Sequence, residues 1–134
     1  MRGGTKYKWY NIFMNSIYQE RILQHSSSPH NFGRLPTATQ KIILDNPLCG
    51  DKIQMEVEIE GGVVKHAMFT GKGCAISKAS ASLLTDKVKN MQISELRKWN
   101  KDSMIKMLGI ELGANRLKCA LLPLEALQKA IAGA

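Results

Sequence analysis

No run of about 18 consecutive apolar residues occurs anywhere in the 134-residue chain, so no membrane-spanning helix is expected. The first residues include Arg2 and Lys6 but have no apolar segment and no small-residue cleavage site, so a secretory signal is not supported. The expected setting is therefore soluble and cytoplasmic. There, three cysteines, an odd number, read as thiols or metal ligands and not as a disulfide framework. Repeats and long low-complexity stretches are missing, and 44% apolar with 22% charged residues is ordinary globular composition, which excludes disorder and collagen. Acidic residues are few, 11 against 19 basic, leaving a net charge of +8. Such a balance attracts nucleic acid, anionic membrane or an acidic protein, and charge alone does not choose among them.

A chain of this length buries roughly two thirds of its unfolded surface, so one core suffices. Residues 1 to 13 mix glycines, lysines and aromatics without a helical or alternating period. They read as a flexible N-terminal extension, with 14 to 134 as a single domain. Trp9, Tyr10 and Phe13 beside lysines are a weak stacking cluster without a recognisable nucleic-acid module, so no nucleic-acid partner is expected.

From an N-cap at Asn15 or Ser16 a helix is predicted to about Ser26, with Ile17, Tyr18, Ile22 and Leu23 on one stripe. Ser26 to Pro36 is dense in turn formers and reads as an ordered loop anchored by Phe32 and Leu35. Strands are predicted over Thr39 to Leu44, Lys52 to Ile59 and Val63 to Thr70, the second with Ile53, Met55, Val57 and Ile59 in strict alternation. Gly61-Gly62 supplies the two positive φ values of a tight hairpin turn. Helices follow over Ala75 to Lys89, Ser94 to Asn100, Ser103 to Leu108 and from about Leu117 onward, where Pro123 predicts a kink or a fresh start. The pattern is α+β: a small three-stranded antiparallel sheet with helices packed on one side, an N-terminal helix and a C-terminal helical half.

The cysteines fall at predicted element boundaries, where thiols from separate elements can converge; buried packing cysteines usually lie inside elements. Placement alone leaves both readings open. In Asn46-Pro47-Leu48-Cys49-Gly50-Asp51 the bend at Gly50 lets Cys49 and Asp51 face one ion, or Asp51 only bonds local amides of a turn. In Gly71-Lys72-Gly73-Cys74-Ala75-Ile76-Ser77 the helix N-terminus favours a thiolate at Cys74. A phosphate loop is rejected because Gly73 follows Lys72 in place of the Gly-Lys-Ser/Thr order. The small residues of Lys78-Ala79-Ser80-Ala81-Ser82 allow close approach to a neighbouring backbone. In Arg116-Leu117-Lys118-Cys119 two cations flank the thiol. Lys72, Lys78, Arg116 and Lys118 could offset the negative charge of a site built from thiolates and a carboxylate; Lys78 and Lys118 read as a solvated edge, and Arg116, one helical turn from Cys119, is the candidate sulfur-facing cation. His25, His30 and His66 lack Cys/His finger spacing and are assigned to structure.

Taken together, NPLCGD from Asn46, GKGCAISKASAS from Gly71, RLKCALLPLEAL from Arg116 and Pro29-His30-Asn31-Phe32-Gly33 resemble the U-type iron-sulfur cluster scaffold family, the IscU, SufU and NifU N-terminal group. The resemblance spans essentially Met14 to Ala132. It implies an α+β scaffold in which Cys49, Asp51, Cys74 and Cys119 hold iron and a transient [2Fe-2S] or [4Fe-4S] cluster, with Zn²⁺ as the alternative occupant. It also implies a cysteine desulfurase as sulfur donor, apo iron-sulfur proteins as recipients, and a monomer or weak homo-oligomer. In the SufU-like branch Cys49 is the expected persulfide acceptor of a zinc-dependent sulfurtransferase, in which Cys49 and Arg116 are the candidate catalytic residues. The cysteine motifs are closer to that branch. Lys118 stands where IscU-type members carry histidine, Ile110 to Leu117 has no Leu-Pro-Pro-Val-Lys segment for a chaperone, and the 45 positions from Cys74 to Cys119 are fewer than SufU members usually have.

Overall fold

In a computed structural model, which describes residues 17–47 and 50–133, the chain is one three-stranded antiparallel sheet with helices before and after it. Helix α1 covers 17–27, β1 Gln40–Asn46, β2 Asp51–Glu60 and β3 Val63–Lys72. They are followed by α2 Ala75–Lys87, α3 Ile93–Leu96, α4 Lys101–Leu108 and α5 Ala114–Ala132. The extension expected over residues 1 to 13 and the α1 N-cap lie outside the described residues. No helix among the described residues is long and apolar enough to cross a membrane.

The strands lie in sequence order, β1-β2-β3. Gly61 and Gly62 have φ of 60° and 74°, the mirror-image turn that matches strand twist, and they join Glu60 to its partner Val63. The alternation on β2 buries Ile53, Met55 and Val57 against α5, while α2 packs on β3. The outer edge of β3 is also occupied. Gly33 N–H donates to the Phe69 carbonyl at 2.8 Å, Phe69 N–H to the Asn31 carbonyl at 3.0 Å, and Val64 exchanges bonds with Asn90 and Met91. An edge covered in this way cannot recruit another strand. Leu35 is buried as expected of an anchor; Phe32 stays half exposed and holds its loop by an edge-to-face contact with Phe69, ring centres 5.3 Å apart.

Several expected boundaries shift. The α1 stripe is narrower than predicted: Ile22 is buried, whereas Ile17 and Leu23, on either flank of it, are exposed. Asn100 lies outside the helix expected over Ser94 to Asn100 and caps α4 instead. Its side chain accepts from Ser103 N–H while the Ser103 hydroxyl accepts from Asn100 N–H, a reciprocal capping box. No fresh start occurs at Pro123, because α5 runs through it and buries Pro123 with eight other residues. Proline gives no N–H to the carbonyl four residues earlier, and the packing of that buried face outweighs the lost bond.

The two faces of β2 are not simply core and solvent. Glu56 is 1% exposed although it lies opposite the apolar set. Arg34 from the loop after α1 donates from Nε to its Oε2 at 2.8 Å, and Lys41 Nζ lies 3.6 Å from Oε1. Removing one partner of a buried charge costs more than the pair contributes. Arg34→Ala is therefore expected to lower the unfolding free energy by about 1–3 kcal/mol, read from urea denaturation, and Arg34→Ala/Glu56→Gln should recover part of that loss. Additive losses would show that the pair is not coupled.

Candidate metal centre

The period of β2 that buries Ile53, Met55 and Val57 also places Asp51, two residues earlier, on the core face. Its carboxylate is 2% exposed and reaches the start of α2. Cys74 is the N-cap of that helix, with φ −71° and ψ 170°, and its N–H donates to Asp51 Oδ1 at 3.1 Å. Cys74 Sγ lies 3.8 Å from Asp51 Oδ2. The reading in which Asp51 bonds only local amides is thus replaced by a bond spanning 23 residues.

Cys119 completes the group from α5. One carboxylate oxygen of Asp51 and the sulfurs of Cys74 and Cys119 all lie within 4.8 Å of one another. Cys119 lies in the first part of the last helix, as expected: α5 begins at Ala114, three residues before the predicted start near Leu117, so Cys119 is its sixth residue and is buried. By position alone it would pass for a packing cysteine. Cys49 lies outside the described residues; its neighbours Asn46 and Asp51 pair across β1 and β2, and Gly50 N–H donates to the Asn46 carbonyl at 2.9 Å.

The donor set is two thiols and a carboxylate on three separate elements, a set that suits Zn²⁺, Fe²⁺ or an iron-sulfur core better than a hard cation. Cys74 and Cys119 open onto a cavity of about 1180 Å³ whose wall includes Ile22 and Leu23 of α1, Ile105 of α4 and Arg116. Arg116 thus shares the cavity with both sulfurs, whereas Lys72, Lys78 and Lys118 do not line it.

Glycines make the convergence possible at two points. At Gly71, with φ 137°, an added methyl would drive into the Lys52 carbonyl of the paired strand. At Gly73 it would sit 3.0 Å from Asp51 Oδ1 and 2.9 Å from Ser77 Oγ. The small residues of α2 act as expected: Ala79, Ser80 and Ala81 are fully buried, and Ser80 Oγ donates to the Ala120 carbonyl of α5 at 2.6 Å. That contact brings α2 and α5 close enough for Cys74 and Cys119 to meet.

A second group was not expected from the sequence. His25, His30 and Asp86 also gather ligand atoms within 4.8 Å, although both histidines were assigned to structure. His25 is held below the ordinary imidazole range by burial first and by the neighbouring His30 second, with Asp86 acting the other way. His66 is exposed on β3 and belongs to neither group. The only sequence sign was two histidines flanking a turn; Asp86 lies 56 residues further on.

Comparison with known proteins agrees with this geometry. The NifU-like N-terminal domain family matches residues 17–133. The chain belongs to that family. The zinc-dependent sulfurtransferase SufU of Bacillus subtilis is 33% identical over 92% of this chain and 95% of its own length. The iron-sulfur cluster assembly scaffold protein IscU of Streptococcus pyogenes is 33% identical over 88% and 84%. The N-terminal domain of a NifU-like protein from Brucella abortus superposes with a TM-score of 0.69 over 87% of this chain and 92% of that one, at 24% identity, a likeness of fold. The expected α+β scaffold architecture is thereby confirmed.

The two glycines should separate folding from binding. Gly71→Ala, which meets backbone at a positive φ, is expected to cost about 1–3 kcal/mol in urea denaturation. Gly73→Ala meets the Asp51 carboxylate and the Ser77 hydroxyl but no backbone, so it should cost less stability than Gly71→Ala and bind Zn²⁺ or iron more weakly by calorimetry. Equal stability of the two variants would show that the close approach at Gly71 is not a constraint.

Proposed function

We propose that the chain is an iron-sulfur cluster assembly scaffold whose cargo is held by Cys49, Asp51, Cys74 and Cys119. The observation that carries this reading is the convergence of Asp51, Cys74 and Cys119 beside an open cavity. Two peptide steps span at most about 7 Å, so Cys49 is tethered near Asp51. The name of the Streptococcus pyogenes relative supports the same activity.

The residues divide the work by softness. Thiolates hold iron or zinc strongly, whereas the Asp51 carboxylate is a harder donor and exchanges more readily. A site that must release its cargo is served by one such weak position. The cargo in this reading is a transient [2Fe-2S] or [4Fe-4S] cluster, built from iron and from sulfur delivered by a cysteine desulfurase, then passed to apo iron-sulfur proteins. Three thiolates and a carboxylate outweigh a doubly positive core, and Arg116 offsets part of the excess negative charge. A reducing cytoplasm keeps the thiols available. Residues 14 to 134 act as one scaffold domain and 1 to 13 as its extension.

The identity to the Bacillus subtilis sulfurtransferase favours a second reading, with Zn²⁺ in the site and Cys49 as sulfur acceptor. The Cys49 thiolate attacks the outer sulfur of the desulfurase persulfide. One S–S bond forms on Cys49 as the other breaks, and the desulfurase cysteine leaves as thiolate, so no outside oxidant or reductant is needed.

Anaerobic elemental analysis with absorption spectra decides between them. Iron with acid-labile sulfide establishes the scaffold. Near-stoichiometric zinc without charge-transfer bands, together with desulfurase stimulation lost in Cys49→Ala, establishes the relay. In either case Cys74→Ser and Cys119→Ser should lower metal affinity by more than the roughly 10–100-fold that a supporting group contributes; content indifferent to Cys74 would sink the shared site. Asp51→Ala should lengthen the lifetime of the reconstituted cluster, and an unchanged lifetime would show that the carboxylate does not set lability.

A further inference from the structure

The second ligand group lies at the C-terminal end of α1 and uses none of the cysteines. His25 is in the last turns of α1, His30 in the turn that follows, and Asp86 in the last turn of α2. One ring nitrogen of each histidine and one Asp86 oxygen lie within 4.8 Å of one another, and the ring centres are 4.4 Å apart. His30 Nδ1 is already 2.6 Å from Asp86 Oδ2.

Other residues hold these three in place. The Ser82 hydroxyl lies 2.6 Å from His25 Nδ1 and accepts the His30 backbone N–H at 2.7 Å. Asn31 donates from Nδ2 to Asp86 Oδ1 at 2.8 Å and to the Thr85 hydroxyl at 3.0 Å, and it adopts a left-handed φ of 58° to do so. Metal sites have this arrangement, in which supporting groups orient imidazole and carboxylate ligands before the ion arrives. His30 and Asp86 are exposed and His25 half-buried, so an ion reaches the group from solvent.

We propose that His25, His30 and Asp86 form a second metal site, of two-histidine, one-carboxylate type, for a first-row divalent ion such as Zn²⁺ or Fe²⁺. Two imidazoles and a carboxylate with open positions suit such ions. The ion would clip α1 to α2. Because Ile22 and Leu23 of α1 wall the cavity onto which Cys74 and Cys119 open, that clip fixes one side of the cysteine site. The proposal does not rest on the scaffold reading.

The test is an anaerobic Co²⁺ titration of the full chain, followed by absorption and calorimetry. The native chain should take up two equivalents, one with sulfur-to-metal charge transfer and one without. The variant Cys49→Ser/Cys74→Ser/Cys119→Ser should keep only the sulfur-free equivalent, with ligand-field bands alone. His30→Ala and Asp86→Asn, at exposed positions, should lose the sulfur-free equivalent or bind it at least tenfold more weakly while keeping the other. No Co²⁺ bound by the thiol-free variant, or binding that survives both His30→Ala and Asp86→Asn, overturns the proposal. A readout free of further substitution is the imidazole NMR of the thiol-free variant on adding Zn²⁺, where unmoved His25 and His30 ring resonances would overturn it as well. Loss of the sulfur-containing equivalent alone in the native chain would count against the cysteine site and leave this one standing.

Discussion

The bond from Cys74 N–H to the Asp51 carboxylate ties together three places in the chain: where β2 begins, where β3 ends and where α2 starts. Hydrogen bonds to a charged group contribute about 1.5–3 kcal/mol, and this one is made where β3 gives way to a helix. Its geometry demands Gly71, which lets the end of β3 lie against Lys52, and Gly73, which leaves room for the carboxylate. An acceptor that caps a helix with its own charge also lies where a metal ligand is needed, so Asp51 orients the site before any ion is present. The cap and the site are one arrangement.

A second constraint acts between the helices. The buried face of α2 holds Ser77, Ala79, Ser80, Ala81 and Ser82, too small to fill a wide seam, so α5 must come in close. Ser80 fixes the approach by bonding a carbonyl of α5, and in the same turns Cys119 arrives near Cys74. Larger apolar residues would contribute more burial at about 25 cal/mol per Å², and they would also move the two sulfurs apart. The helix gives up some burial to hold the ligands together. Stability is recovered elsewhere, in the cluster of Met55, Val57, Leu84, Leu96, Leu127 and Ile131.

Periodicity made the strands, the hairpin and the order of helices legible, because each buries a regular face. What it could not convey were features that depend on a partner distant in sequence. Glu56 reads as a solvent-facing residue of an alternating strand, and it takes Arg34, arriving 22 residues earlier from a loop, together with Lys41 of β1 to explain its burial. The last helix was expected from about Leu117, whereas α5 begins at Ala114 and runs through Pro123, so Cys119 lies three residues further into it and is buried. The three cysteine motifs stood out in the sequence because each brings its own local reason, a bend, a helix start, a flanking cation. The histidines had no such mark. Their meaning lies in Asp86, and no spacing rule connects residues 25 and 30 to a helix end 56 positions on.

The two sites differ in the property that matters most for traffic of metal. At the cysteine end the candidate ligands come from a strand, a helix cap and the first part of a helix, with Asp51 and Cys119 buried and Cys74 exposed, and the harder donor is the carboxylate. At the histidine end the ligands come from a helix terminus, a turn and a second helix terminus, tied by hydroxyls and an amide. A rigid frame with one labile ligand keeps a vacant coordination geometry while cargo leaves. In the proposal, metal at His25, His30 and Asp86 clips α1 to α2 beside the cavity onto which Cys74 and Cys119 open. Ile22 packs with Ala79, Leu108 and Ala120, which join α1 to α2, α4 and α5 between the two groups.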